Sequence, residues 1–276
     1  MSPPRSETIY GRNPVYEVLR AGRRPVHRLL LAEGLRLRGH IQTAMAEAAS
    51  AGIPIETVPR SSLDRIASNH QGVAAEVAPY PYASVAEILD LAQEKAEPPF
   101  VLLLDSLQDP QNLGTLLRTA EAVGVHGVVV PGHHTAGITS AVVSSSSGAC
   151  EHLLVALENL TQAIRLLKAA GVWVVGLEVT SEAEPIGQVD LNRPLALVVG
   201  SEGQGMRRLV REGCDLLVCL PMRGRVESLN AAVAGSLALY AAWAARGSPG
   251  GRPSPPAPTA APAPVGPDWA LDVLRQ

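Results

Sequence analysis

The stretch LPMRGRVESLNAAVAGSLALY, residues 220–240, decides the fold of this chain. The apolar residues that lead into it, LLVCL at 216–220, predict a buried strand that ends at Pro221. A glycine-containing loop follows, and Ser228, Leu229 and Asn230 then open an alanine-rich segment that predicts a helix. A strand, a loop and a helix N-terminus in this order present free backbone N–H groups beside polar side chains. The stretch therefore predicts a ligand-binding loop at the end of a strand.

The same plan occurs twice upstream. LALVVG at 195–200 leads into SEGQGM, and FVLLL at 100–104 leads into DSLQDPQNLGTLLRTAEAVG. Strands and helices alternate over 100–246, which predicts a mostly parallel sheet with helices on both faces and the three loops at one edge. The predicted strands lie at 100–104, 127–130, 152–155, 172–177, 195–199 and 216–220, and the predicted helices at 112–122, 139–145, 160–169, 207–212 and 229–245.

The chain divides into three segments and a tail. Residues 1–78 predict a small α/β unit, with helices from Asn13 and over 40–51 and strands at 26–32, 53–58 and 73–77. Residues 79–99 are predicted to be a linker with a short helical piece at 85–95, and 100–246 form the large α/β unit. Residues 247–276 are rich in Pro, Ala and Gly, and are predicted to be a disordered tail.

Bulk properties narrow the class of protein. With 46% hydrophobic and 18% charged residues, the 276-residue chain can bury a sizeable core. Three cysteines without a C-x-x-C spacing indicate a reducing cytoplasm and argue against a disulfide framework or a zinc ribbon. The N-terminus lacks the pattern of a signal peptide, and the apolar run at 231–245 is too short to cross a bilayer.

The charge is unevenly distributed. A net charge of −3 gives by itself no support to nucleic-acid binding. Residues 1–40, however, hold eight arginines against three glutamates, a local balance of +5. Such a surface fits either RNA phosphates or an ordinary solvated helix face, and charge alone leaves both readings open. The arginines are at positions 5, 12, 20, 23, 24, 28, 36 and 38.

Each of the three loops carries polar residues that also have an ordinary structural explanation. In the first loop, Asn112 is a predicted helix cap, and Arg118 lies almost two turns further along the same helix. In the second, Glu202 is the only acid among glycines, where it would complement a helix dipole or contact a ligand. In the third, Ser228 and Asn230 compete for one N-cap position, which leaves the other side chain spare.

Other common sites find little support. The second loop matches neither the dinucleotide fingerprint G-x-G-x-x-G nor the phosphate loop that ends in G-K-[ST]. The seven histidines include the adjacent pair His133–His134 but no H-E-x-x-H motif. The serine run at 144–147 lacks the G-x-S-x-G elbow and is interpreted as a helix end before Gly148.

Taken together, NLGTLLRTAEAVG, VVGSEGQGM and LPMRGRVESLNAAVAGSLALY resemble the three signature motifs of the SpoU family of RNA 2′-O-ribose methyltransferases, in the SPOUT superfamily. GRNPVYEVLR and NHQGVAAEV resemble the small substrate-binding domain of bacterial 23S rRNA guanosine 2′-O-methyltransferases. The resemblance implies a SPOUT-type, mostly parallel sheet with a C-terminal trefoil knot, preceded by a small α/β RNA-binding domain. It further implies a cytoplasmic homodimer with RNA, 23S rRNA above all, as partner and with neither DNA nor a membrane.

The resemblance also implies the site. S-adenosyl-L-methionine would bind in the knot around Gly200, Leu220, Met222 and Leu229. The catalytic positions carried over from the motifs are Asn112, Arg118, Glu202, Ser228 and Asn230.

The implied reaction is transfer of the methyl group of S-adenosyl-L-methionine to a ribose 2′-hydroxyl. Arg118 would be held by Asn112, and would either take the hydroxyl proton or bind phosphate and stabilise the alkoxide. Leu154 and the segment VSSS at 143–146 depart from the residues that relatives often have, and the second departure bears on one RNA phosphate contact. The alternatives are a SpoU enzyme for tRNA or another rRNA site, and a non-catalytic RNA-binding protein of ribosome assembly.

Overall fold

The computed structural model describes residues 6–36, 38–132, 137–226 and 228–251. Its first unit is a four-stranded sheet in the order β1-β4-β2-β3, antiparallel except between β2 and β3. The strands of this sheet are β1 (Glu7–Tyr10), β2 (Val26–Ala32), β3 (Ile55–Val58) and β4 (Val73–Val77). Its helices are α1 (Arg12–Ala21), α2 (His40–Ser50) and α3 (Arg60–Asp64). The predicted strands and helices of this unit are present, and the structure adds β1 and α3, which the sequence analysis did not predict.

The second unit is built on a sheet of seven strands in the order β7-β6-β5-β10-β8-β11-β9, and every neighbouring pair is parallel. The mostly parallel sheet is thereby confirmed. The strands are β5 (Phe100–Leu104), β6 (Gly127–Val130), β7 (Leu154–Leu157), β8 (Trp173–Leu177), β9 (Glu184–Pro185), β10 (Leu195–Val199) and β11 (Leu216–Cys219). The helices are α4 (Val85–Glu94), α5 (Pro110–Ala122), α6 (Ser140–Ser145), α7 (Leu160–Ala169), α8 (Arg208–Gly213) and α9 (Ala231–Ala245).

Both faces of the large sheet are buried, which explains the continuous apolar runs of its central strands. Alternate residues of β5 belong to different hydrophobic clusters: Leu102 packs in the cluster under α5 and α9, and Leu103 in the cluster under α4 and α7. α9 lies directly on α5, because Gly235 has no side chain: a Cβ there would be 2.6 Å from Leu116 Cδ2. Within the described ranges, no helix is long and apolar enough to cross a membrane.

Several element ends differ from the prediction. Asp109 caps α5 through a 3.0 Å hydrogen bond from Gln111 N, so Asn112 lies inside the first turn and is not the cap. His152 belongs to a 3-10 turn (Ala149–His152), and the strand begins only at Leu154. The described part of the tail reaches Gly251, and the predicted disorder of 252–276 lies outside the described residues.

The predicted linker over 79–99 carries α4, which starts with a capping box at Ser84. Val85 and Ile88 of this helix are fully buried against the large sheet. Ile88 also occupies the space that a side chain at Gly127 would need. The segment therefore packs as part of the large unit.

The two units share a continuous interface. Ile9 and Val15 of the small unit pack in the same hydrophobic cluster as β5 and α5. Arg24 and Glu151, whose side chains are each only 1% exposed, form an ion pair across this interface. Arg24 also donates to Glu7 Oε2 and to Ala78 O, both at 3.1 Å. The small unit is therefore held in one orientation on the large one.

Candidate active site

Two of the three predicted loops start side by side, because β5 and β10 are neighbours whose last residues, Leu104 and Val199, pair directly. Asn112 Nδ2 donates to Glu202 Oε1 at 3.1 Å. Asn230 Nδ2 donates to Asn112 Oδ1 at 3.1 Å and also to Glu202 Oε1. The structure thus brings together one polar residue from each loop, in the cluster Asn112–Glu202–Asn230.

This cluster is attached to the start of α9. Asn230 caps the helix, since its Oδ1 accepts from Ala232 N at 2.9 Å and from Val233 N at 3.1 Å. Glu202 Oε1 accepts a further hydrogen bond from Ala231 N at 3.3 Å. The carboxylate therefore lies at the positive end of the helix, where a negative charge is favoured. Asn230 is therefore both the N-cap of α9 and a member of the cluster. Ser228, the other predicted cap, is exposed.

Arg118 is exposed and lies outside this cluster. Its Nη1 donates to Ser147 Oγ at 3.3 Å. Ser147 has a φ of 55°, a left-handed conformation that is uncommon for a residue other than glycine. The expectation that Asn112 holds Arg118 is wrong for this structure, because the Asn112 amide is engaged by Glu202 and Asn230.

The second loop is a tight turn. Ser201 N donates to Gly205 O at 3.1 Å, and Gly205 N donates to Ser201 O at 3.0 Å. The turn folds back over Gly200, where a Cβ would lie 2.4 Å from Gly205 C and 2.6 Å from Met206 N. Glycine at position 200 is therefore required by the path of the backbone.

One buried acid in this region has no role in the sequence-based prediction. Asp105, which follows β5 directly, is 0% exposed. Its carboxylate accepts from Arg207 N and from Arg207 Nε, each at 2.7 Å. It thereby ties the end of the Glu202 loop to the start of the Asn112 loop. The available signal was an aspartate placed immediately after an uninterrupted apolar strand.

The remaining candidates lie near the third loop. Leu220 is half-buried against the main hydrophobic cluster, and Met222 is half-buried in the loop after β11. Leu229 is 38% exposed and directly precedes the cap Asn230.

Comparison with known proteins gives this arrangement its context. The profile of the family described as SpoU rRNA Methylase matches residues 99–240, and that of RNA 2′-O ribose methyltransferase substrate binding matches residues 8–83. A Bacillus subtilis (strain 168) protein named as a TrmH family tRNA/rRNA methyltransferase is 45% identical over 240 residues, which are 86% of this chain and 95% of the relative. The chain belongs to the SpoU rRNA methylase family. It is therefore an RNA methyltransferase by family.

Other relatives agree with this assignment. A Staphylococcus aureus (strain MSSA476) protein of the same description is 43% identical, over 84% of this chain and 93% of the relative. The SpoU methyltransferase AviRb from Streptomyces viridochromogenes, solved with the cofactor AdoMet, superposes with a TM-score of 0.72 at 26% identity, over 88% of this chain and 91% of that chain. An AdoMet-bound rRNA methyltransferase from Sinorhizobium meliloti superposes with a TM-score of 0.71 at 25% identity, over 87% of each chain.

Proposed function

We propose that this protein transfers the methyl group of S-adenosyl-L-methionine to the 2′-hydroxyl of a ribose in RNA, and that its target is a guanosine of 23S rRNA in the cytoplasm. The observation that carries the proposal is the cluster Asn112–Glu202–Asn230, which joins one residue from each of the three motif loops. Asn112 lies on α5, the helix that also carries Arg118. The substrate-binding profile over residues 8–83 supports a ribose in RNA as acceptor.

Gly200, Leu220, Met222 and Leu229 are proposed to hold the cofactor. At Gly203 of the turn a Cβ would meet nothing within 4 Å, which leaves the backbone there open to a ligand, and the partly exposed Met222 and Leu229 offer apolar surface to an adenosine. The bound cofactor supplies an electrophilic methyl group on its sulfonium. The protein therefore has mainly to align the ribose hydroxyl for in-line attack.

Arg118 is proposed to bind a phosphate of the substrate and to stabilise the alkoxide that develops on the attacking oxygen, while that phosphate or water takes the hydroxyl proton. A guanidinium stays protonated in proteins, which favours this role over proton abstraction. Ser147 positions Arg118 through its 3.3 Å hydrogen bond. Glu202 and Asn230 are proposed to keep the three loops in register, and the exposed Ser228 is free to contact the substrate.

We propose that two copies associate through the outer face of α9. Val233, Leu237 and Tyr240, spaced by three or four residues, are each 48–50% exposed and form one apolar stripe. A second copy with the same stripe would bury it in an isologous contact. Leu237→Arg should convert the dimer to a monomer in sedimentation analysis, whereas an unchanged mass would refute this interface.

The C-terminal segment is proposed to be knotted. β10 follows β8 in the chain but inserts between β5 and β8 in the sheet. After β11 the chain returns to pack α9 on α5 and β10. A loop threaded by this last segment would account for both placements.

The decisive experiment is transfer of labelled methyl groups to bulk rRNA, followed by mass spectrometry of the nucleosides. We expect 2′-O-methylguanosine in 23S rRNA, and Arg118→Ala should bind the cofactor normally in calorimetry but lose transfer. Arg165→Ala, an exposed arginine on α7, is the matched control. A parallel reaction with tRNA tests the second candidate, because the names of the relatives give tRNA beside rRNA. No transfer to either RNA would contradict the proposed function.

A further inference from the structure

The loop at 69–72 of the small unit has a strained backbone conformation that side-chain hydrogen bonds stabilise. Gln71 has a φ of 55° and Gly72 a φ of 80°. His70 is 0% exposed; its Nδ1 accepts from Gly72 N at 2.8 Å, and its Nε2 lies 2.9 Å from Asp64 Oδ1. A buried histidine thus uses both ring nitrogens to stabilise the turn. Left-handed non-glycine residues that are held in this way are concentrated at functional sites.

The strained loop directs polar groups outward beside the start of α1. Gln71 Oε1 accepts from Arg12 N at 3.0 Å, and Gln71 O accepts from Arg12 Nε at 3.4 Å. No carboxylate in the described ranges forms an ion pair with Arg12, in contrast to Arg24 and Arg28, whose guanidiniums are occupied by glutamates. The terminal nitrogens of Arg12 are therefore available to an external anion.

The same loop touches the large unit next to Arg118. Asn69 Nδ2 donates to Ser144 Oγ at 3.4 Å, and Ser147, three residues on, accepts from Arg118. The next residue, Gly148, is packed so closely under α1 that a Cβ would be 3.0 Å from Pro14 Cα. The small unit therefore sits directly beside Arg118 of its own chain.

We infer that Arg12, Asn69 and Gln71 form, with Ser144, Ser147 and Arg118, one RNA-binding surface that presents the target nucleotide to Arg118 of the same subunit. This inference rests on the proposed function and names the residues by which the substrate is held. The Arg12 guanidinium binds a phosphate next to the target ribose, since guanidinium matches phosphate geometry. The amides of Asn69 and Gln71 hydrogen-bond to base edges, which are accessible in unpaired RNA.

The test measures the affinity for 23S rRNA at several salt concentrations with the full-length chain. Arg12→Ala should weaken binding tenfold or more and reduce the slope of log Kd against log salt by about one, as expected for one lost phosphate contact. Asn69→Ala should weaken binding without changing that slope, because an amide releases no counterion. Cofactor affinity, measured by calorimetry, should be unchanged in both variants.

Arg165→Ala is again the control, because it removes one positive charge from α7 on the other face of the sheet. Arg12→Gln, which keeps a polar side chain, provides a second variant if Arg12→Ala melts at a lower temperature. Wild-type affinity and slope in an Arg12 variant, with methyl transfer by the wild type intact, would overturn this inference and leave the proposed function standing. Failure of the wild type to methylate RNA would instead contradict the proposed function.

Discussion

Replacing Arg24 by methionine should destabilise the whole protein, because the substitution removes one partner of a buried ion pair between the two units. The side chains of Arg24 and Glu151 are each 1% exposed, and Arg24 Nε donates to Glu151 Oε2 at 3.1 Å. Methionine keeps the length and apolar stem of arginine but leaves the Glu151 carboxylate uncompensated. Breaking a buried pair in this way costs about 3–5 kcal/mol. At about 2–4 °C per kcal/mol for a chain of this size, the melting temperature should fall by roughly 6–20 °C.

The loss should depend on pH. Burial raises the pKa of Glu151, while the Arg24 guanidinium opposes that increase. Without Arg24 the pKa rises further, so the folded state binds a proton over a range above the unfolded value of about 4.3. In that range the folded state holds more protons than the unfolded state, and stability therefore decreases as the pH rises. The defect of Arg24→Met should be smaller near pH 5 than at pH 7.

The assay is thermal unfolding followed by circular dichroism at both pH values. Arg28→Met is the matched control, since the Arg28 side chain is 44% exposed and its pairs with Glu56 and Glu76 lie at the surface. The double variant Arg24→Met/Glu151→Leu should recover most of the loss, because it removes the buried carboxylate, and the other partner of Arg24, Glu7, has a side chain that is 38% exposed to water. If Arg24→Met melts at the same temperature as Arg28→Met, the reasoning about this interface is refuted.

Three further predictions concern the site and the sheet. Gly200→Ala should lower cofactor affinity in calorimetry, since the added Cβ would lie 2.4 Å from the carbonyl carbon of Gly205; unchanged affinity would exclude this turn from the binding site. Asp105→Asn should raise the KM for the cofactor, because an amide cannot accept both hydrogen bonds from Arg207; wild-type kinetics would show that this link is dispensable. Burial lowers the pKa of His126, so below about pH 6.5 the unfolded state binds more protons than the folded state. The free energy of unfolding should therefore decrease as the pH falls below that value. In denaturant titrations, His126→Gln should make the free energy of unfolding depend less on pH.

The sequence was sufficient for the central strands. The observed bounds of β5, β6 and β10 coincide with the predicted ranges, because strands buried on both faces are continuous apolar runs. The edge elements were harder to predict: β1 is a four-residue strand with a single buried residue, Ile9, and its pattern is too short to recognise. The predicted start of α5 at Asn112 is wrong, because Asp109 and Asn112 are both residue types that cap helices. In the structure Asp109 is the cap, and the Asn112 amide is hydrogen-bonded to Glu202.

The sequence by itself determined the alternation of strand and helix, the three glycine-containing loops and, through their residues, the resemblance to RNA methyltransferases. The tertiary structure decided which polar groups meet: Asn112 and Asn230 are 118 positions apart, and Arg24 and Glu151 are 127 apart. It also assigned Arg118 to Ser147 and not to Asn112. Local sequence patterns indicate which residues are buried and where strands and helices lie. A hydrogen bond or ion pair between distant segments depends instead on the order of the strands in the sheet, and on which charged groups are removed from water and therefore need a partner.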